Sequence, residues 1–410
     1  MRRRLVQTDS SEWPLLLRNY HELNIRPGHY TPSPKYGCTP PNRPLGDYVS
    51  NGVIVLDKPS GPSSHEVVSW VKKFVECERA VSIGTLEPRT TGCLLVCLDR
   101  STRLHKTRVF ARSFEYVVLV QLHAPLEPQN DPQSSSCRPI SPQEQVSKAL
   151  ESLRGEQLQR VTPVISKVQR QLRLRRIHKI ELIEYSEKKN HALISVSCEA
   201  ATSIRTICIH LGILLGCGAH VHELRCIRSG CCSENRNLST MHDVLDACHL
   251  SNTKEDESYL RRVILPLEYL LTHLPRIVLK DSAVNAICHG AVLKLVGVLR
   301  YESRIEAGSE VVLMTTKGEA VAVAFAEMST ASMATASDPA ATAARVKRVI
   351  MDRNVYPLGW GFGSAAVKRR RVETANPLLG NELGGQAGQG QGNGVMGRSA
   401  STVDSDTPML

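Results

Sequence analysis

Gly84-Thr85-Leu86-Glu87-Pro88-Arg89-Thr90-Thr91-Gly92, running directly into the apolar stretch Cys93 to Leu98, is the segment around which the rest of this chain is organised. Two glycines and a proline hold the nine residues in a tight turn. The six residues after it form a fully apolar run of strand length. A carboxylate carried on such a stiff turn suits a nucleophile or a general base, because a fixed position lowers the cost of reaching the transition state. Taken alone, the nine residues fit an ordinary surface glutamate better than a catalytic one.

Upstream, Gly52 to Leu56 reads as a short strand, and Pro59, Gly61 and Pro62 force a turn. Ser63 or Ser64 then caps a helix whose apolar face is Val67, Val68, Val71, Phe74 and Val75. Downstream, Tyr116 to Leu122 is β-branched enough for a strand, central or edge undecided. Pro125 to Pro142 shifts to Pro, Gln and Ser, the composition of a loop or insertion. Ser141, Pro142 and Glu144 form a capping box ahead of Val146, Leu150 and Leu153, with Gly155 as the stop.

Arg160 to Lys179 carries seven Lys or Arg and no acid. A solvated strand face and a phosphate-contacting strand or loop fit it equally. The spacing predicts helices over Ile204 to Leu215 and Glu255 to Leu271, closed off by Pro275. From Val278 to Val349 a short helix after Asp281, an apolar run to Leu299 and a hairpin around Lys317-Gly318 describe a small, mostly β module. The first fifty residues, rich in Pro, Arg and Tyr, read as an extended arm packed through Trp13, Leu15 and Leu16. After Gly363 the chain turns Gly, Gln, Ser and Asn rich and is expected to be disordered, with a basic cluster from Lys368 to Arg371.

At 410 residues the chain has room for two or three domains. Fifty-one Lys and Arg against forty Asp and Glu give a net charge of +11, which favours polyanionic partners. The thirteen cysteines are odd in number and follow no secretory apolar segment, so reduced thiols are expected. Their spacings, such as Cys93 to Cys97 and Cys226 to Cys231, do not match a zinc site. No membrane span is expected, since the longest apolar stretch, Ile204 to Ala219, is broken by Arg205 and His210. Phosphate-binding Gly-Lys loops, Gly-x-Ser-x-Gly elbows and His-Glu-x-x-His pairs are missing, which removes the usual sequence support for nucleotide hydrolysis, serine hydrolysis and zinc proteolysis.

The runs Asp57-Lys58-Pro59-Ser60, Ser63 to Val67, Gly84 to Gly92, Ser197 to Gly212, Thr240 to Ala247 and Asp256 to Arg262 resemble the dyskerin family, the TruB-type pseudouridine synthase subunits of eukaryotic H/ACA ribonucleoproteins. The resemblance spans about Asn19 to Gly363, and Val278 to Val349 is similar to a PUA domain. It implies a mixed α/β fold: a TruB-type catalytic domain at 51–272 with an insertion near 125–142, a mostly β PUA domain at 275–351, an arm at 1–50 packing on that module, and a disordered tail at 364–410. It implies no cofactor and no metal. The substrate would be uridine in rRNA or other non-coding RNA, selected by an H/ACA guide RNA. The implied partners are that guide, the target RNA and the small H/ACA core proteins, without a membrane, in the nucleus and nucleolus.

The family's catalytic aspartate falls on Glu87, its strand tyrosine on Tyr116 and the arginine of its Ile-Arg-Thr on Arg205. Glu87 would act at the ribose of a flipped uridine, Tyr116 would stack on the uracil and Arg205 would keep the carboxylate ionised. Lys58, Arg170, Arg173 and Arg176 are the candidate RNA contacts. The chain departs from the family at Glu87 itself, at Val81-Ser82-Ile83 before the turn, at Gln169 and His178, and at Ala201-Thr202-Ser203 ahead of Arg205. A catalytically weak or silent RNA-binding scaffold is therefore the alternative to an active enzyme.

Overall fold

The computed structural model describes residues 9–27, 30–105, 113–127, 129–130, 139–160, 172–254 and 256–357. Arg170, the basic cluster from Lys368 to Arg371 and the tail expected to be disordered lie outside them. A mixed sheet of ten strands carries the larger part. Its main strands are β1 (Gly52–Lys58), β2 (Ala80–Ile83), β3 (Thr91–Leu98), β4 (Phe114–Leu122), β5 (Gly155–Arg160), β6 (Leu172–Ser186), β7 (His191–Cys198) and β8 (Ala219–Ser229). They run in the order β1-β3-β8-β4-β7-β6-β5, with β2 beside β3. Tyr116 to Leu122 thus belongs to a central strand, β4, paired on one side with β7 and on the other with β8. The β3–β8 contact is parallel, Arg225 opposite Thr91 and Cys226 opposite Gly92.

Both serine capping boxes form. Ser63 accepts from Glu66 N–H at the start of α1 (Ser64–Val75), and Ser141 accepts from Glu144 N–H at the start of α2 (Pro142–Ser152). Between Pro125 and Pro142 the described residues make only a two-residue ribbon, Gln129–Asn130 against Pro139–Ile140.

The uninterrupted apolar runs of β1 and β3 follow from burial on two sides. Ile54, Leu56, Leu94 and Val96 face a core shared with α1 and with α3 (Ile204–Leu214). Val53, Val55, Leu95 and Cys97 face a second core, containing Leu16, Leu270, Val278, Val312 and Val323. That second core joins this sheet to a seven-stranded one built on β9 (Arg276–Leu279), β10 (Val298–Tyr301), β11 (Glu310–Met314), β12 (Ala320–Ala326) and β13 (Thr342–Val349).

The N-terminal segment runs along the second sheet. Asn24 and Ile25 pair with Tyr301 and Arg300, and the Lys317 ammonium donates to the carbonyl of Gly37 at 2.7 Å. Leu16 and Leu17 are buried while Trp13 stays exposed. Arg43 makes a two-pronged pair with the fully buried Glu268.

One expected helix is corrected. Over Glu255 to Leu271 the chain forms a short helix at Ser258–Val263, leaves it at Ile264, adds Leu265–Pro266 to the sheet opposite Val53 and Gly52, and finishes in a 3-10 turn at Leu267–Leu271. Pro266 has no N–H and pushes its predecessor into extended geometry, which ends the helix there. Among the described residues no helix is long and apolar enough to cross a membrane.

Candidate active site

The turn after β2 is held from three directions. Thr90 N–H donates to Glu87 O at 2.9 Å and closes a four-residue turn with Pro88 in its second place. The hydroxyl of Ser64, the first residue of α1, donates to the Leu86 carbonyl at 2.9 Å and accepts from the Leu86 N–H at 3.0 Å. Beneath the turn, the ammonium of Lys58 donates to Pro59 O, Pro88 O and Thr90 O at 2.9, 2.8 and 3.0 Å.

Lys58 therefore needs correction as a candidate RNA contact. Its side chain is fully buried and all three of its donors end on carbonyls of its own chain, so it is a strut under the Glu87 turn.

At the far end of the turn, Gly92 has φ +104, and a Cβ there would lie 2.1 Å from the Cys226 carbonyl oxygen. Only glycine lets β3 approach β8 this closely. The adjoining Arg225 makes a two-pronged pair with Asp57 at 3.1 Å and donates through Nε to Glu234 at 2.9 Å. This tie fixes the end of β1 to β8.

Glu87 leaves this frame with a side chain 40% exposed, and its Oε2 accepts from Nε of Arg205, itself 37% exposed. Arg205 is the second residue of α3, whose N-cap Ser203 accepts from Thr206 N–H. Glu87 lines a cavity of about 220 Å³ together with, among others, Thr90, Phe114, Tyr116, Thr202 and Leu224, while Arg205 meets it through the Glu87 carboxylate. That is below the ~300–1,000 Å³ of pockets for drug-sized ligands. The Phe114 and Tyr116 rings stack, with centroids 6.3 Å apart and planes 15° from parallel. Burial first, and then nearby groups including the Glu87 carboxylate, push the Tyr116 hydroxyl far above its ordinary pKa and keep it protonated.

The structure thus brings Glu87 and Tyr116 to one cavity and pairs Arg205 with Glu87, from three separate parts of the chain. Arg173 and Arg176 are exposed on β6, opposite Gln159 and Glu156 of β5, and do not line it. Sequence reasoning missed Ser64 and Arg225. The signal for Ser64 was a second serine beside the capping one; Arg225 had none, because its partners lie 168 and 9 residues away. Among the described residues no group of three or more His, Cys, Asp or Glu side chains could hold a metal ion.

Comparison with known proteins accords with this geometry. Residues 72–204 match the TruB family pseudouridylate synthase N-terminal domain, 205–272 the tRNA pseudouridylate synthase B C-terminal domain, 275–350 the PUA domain and 10–68 the DKCLD (NUC011) domain. Fold and site together define a pseudouridine synthase of TruB type carrying a PUA domain. The chain is 50% identical to the H/ACA ribonucleoprotein complex subunit cbf5 of Schizosaccharomyces pombe, over 90% of this chain and 74% of that protein. It is also 50% identical to subunit CBF5 of Saccharomyces cerevisiae, over 91% of this chain and 73% of that one. This chain belongs to that family, the CBF5 or dyskerin subunits of the H/ACA ribonucleoprotein complex.

Solved structures agree. An H/ACA ribonucleoprotein bound to a substrate RNA containing 2'-deoxyuridine aligns with TM-score 0.71 at 35% identity, over 83% of this chain and 97% of that one. A Cbf5-Nop10-Gar1 complex aligns with TM-score 0.69 at 35% identity, over 86% and 98%.

Proposed function

We propose that this protein converts uridine to pseudouridine in rRNA or other non-coding RNA chosen by a bound H/ACA guide RNA, with Glu87, Tyr116 and Arg205 as its catalytic residues. The observation that carries the reading is a Glu87 carboxylate paired with Arg205 and lining a small cavity with a protonated tyrosine in its wall. The pair holds the carboxylate in one orientation. The reacting nucleotide is extruded into the cavity, since the sugar is out of reach within a helix. The Glu87 carboxylate then acts at the ribose, by attack on C1′ or by assisting glycal formation. The N1–C1′ bond breaks, the uracil turns against Tyr116, C5 bonds to C1′, the C5 proton leaves and N1 gains one. Atoms balance without a cofactor.

The partners of this activity are the guide RNA, the target RNA and the small H/ACA core proteins. The names of the solved relatives, an RNA-bound particle and complexes with Nop10 and Gar1, support that set. Residues 51–272 form the catalytic domain in this reading, 275–351 the RNA-binding PUA domain and 1–50 an arm that ties the two. The address is the nucleus, and within it the nucleolus.

The test is a reconstituted particle on a guide-matched RNA. The natural chain should turn over, and Glu87→Ala should lose ~10³-fold with RNA binding unchanged. A natural chain that binds guide and target but yields no pseudouridine would leave only the assembly role.

A further inference from the structure

β5 is the outermost strand of the large sheet, and its burial pattern is inverted. Leu158 is 60% exposed while the next residue, Gln159, is 4% exposed. A buried carboxamide costs stability unless both of its ends are bonded. Here both ends meet one residue. Gln159 Oε1 accepts from the Ser203 N–H at 2.8 Å, and Gln159 Nε2 donates to the Ser203 carbonyl at 3.3 Å. The side chain imitates one rung of a strand pair, 44 residues away in sequence from its target.

Ser203 is where α3 begins. Its carbonyl also takes the first helical bond, from Ile207 N–H, and its hydroxyl accepts from Thr206. Arg205 lies two residues further on. The approach to Ser203 is strained rather than relaxed: Ala201 sits at φ +61, in the left-handed region, and Thr202 is turned back so that its hydroxyl donates to Glu199 O at 2.6 Å. A strained linker persists when its surroundings over-determine it. Gln159 supplies that constraint at the point where the linker becomes a helix.

We infer that Gln159 is a positioning residue for catalysis: by gripping both backbone groups of Ser203 it fixes the first turn of α3 and so aims Arg205 at Glu87. Gln159 does not line the cavity and acts through Arg205. The inference deepens the proposed reaction and rests on the role given there to Arg205. A displacement of ~1 Å at a long side chain is enough to cost about 10²-fold in rate.

Two measurements on the reconstituted particle test it, using Gln159→Leu, which removes both bonds at similar volume, and Gln159→Glu, which keeps only the acceptor. The first does not need turnover. The Nε–H proton of Arg205, assigned in the NMR spectrum by its loss in Arg205→Lys, should exchange with solvent at least tenfold faster in Gln159→Leu, with Gln159→Glu between. The second is single-turnover kinetics. Gln159→Leu should slow the chemical step by ~10- to 100-fold with target RNA affinity within twofold, and should add nothing to Arg205→Lys, because both act on one contact.

An unchanged exchange rate overturns the inference, as does a rate loss that adds in full to that of Arg205→Lys. A natural chain without turnover would sink the proposed reaction, while the exchange measurement still decides the role of Gln159. If Gln159→Leu does not fold, the intermediate exchange rate required of Gln159→Glu decides in its place.

Discussion

Arg205, at the start of α3, donates through Nε to Oε2 of Glu87, at the head of a turn 118 residues earlier in the chain. Both partners remain partly open to solvent. An ion pair at this depth contributes little to folding, so its value lies in fixing where a carboxylate points.

Arg205→Lys keeps the charge and loses the planar donor that meets Glu87. The expected outcome is a fall of ~10²-fold in single-turnover rate with RNA affinity unchanged, read from rates at saturating enzyme. A variant as fast as the natural chain would remove Arg205 from the mechanism.

Lys58→Met tests the strut beneath the turn. Three carbonyls lose their donor, and Thr90, whose carbonyl is one of them, is 2% exposed. Buried groups left unbonded cost about 1–3 kcal/mol each, so a total of about 3 kcal/mol is expected, together with loss of turnover as the Glu87 backbone loosens. The midpoint of urea unfolding measures the first part. If Lys58→Met unfolds like the natural chain and loses only RNA affinity, the exposed-cation reading returns.

Ala201→Gly relieves a left-handed residue of its Cβ. Stability should rise by about 1 kcal/mol, seen as a higher urea midpoint at unchanged slope. A lower midpoint would mean that the linker gains more from a restricted unfolded chain than it loses to strain.

Glu319, 4% exposed beneath the N-terminal segment, gives a pH signature. Burial, the largest cause, raises its pKa above the ordinary 4.5, with Arg43 opposing. A carboxyl raised on folding favours the folded state while it is neutral. The stability it contributes is complete below pH ~4.5 and is lost as pH rises through the folded value. Glu319→Gln should therefore match the natural chain near pH 4 and exceed it at pH 8, in urea titrations across that range. A variant that is less stable at pH 8 reverses the sign and refutes the account.

Much of the architecture was legible because its causes are local. The capping box at Ser141 involves residues three apart and starts its helix where the spelling places it, and of the two serines that could cap the earlier helix the structure selects Ser63. The apolar run Cys93 to Leu98 reads as a strand from its length and composition, although its burial on two faces, one of them against the core around Val278 and Val312, has no local marker. The helix expected over Glu255 to Leu271 stops at Val263, because Pro266 cannot continue it and Leu265–Pro266 pairs with the sheet, a contact that apolar periodicity does not encode.

By itself, then, the sequence determined where the helices after Ser63 and Ser141 begin, that Cys93 to Leu98 is a strand, and that one glutamate would sit on a stiff turn, since those outcomes depend on contacts spanning a few residues. Only the tertiary structure decided that Lys58 faces inward onto carbonyls while Arg173 stays in solvent, and that a glutamine on an outer strand reaches the residue opening α3. The fate of a polar side chain depends on what distant chain closes over it. That is set by how the sheets fold together, and no short window of residues records it.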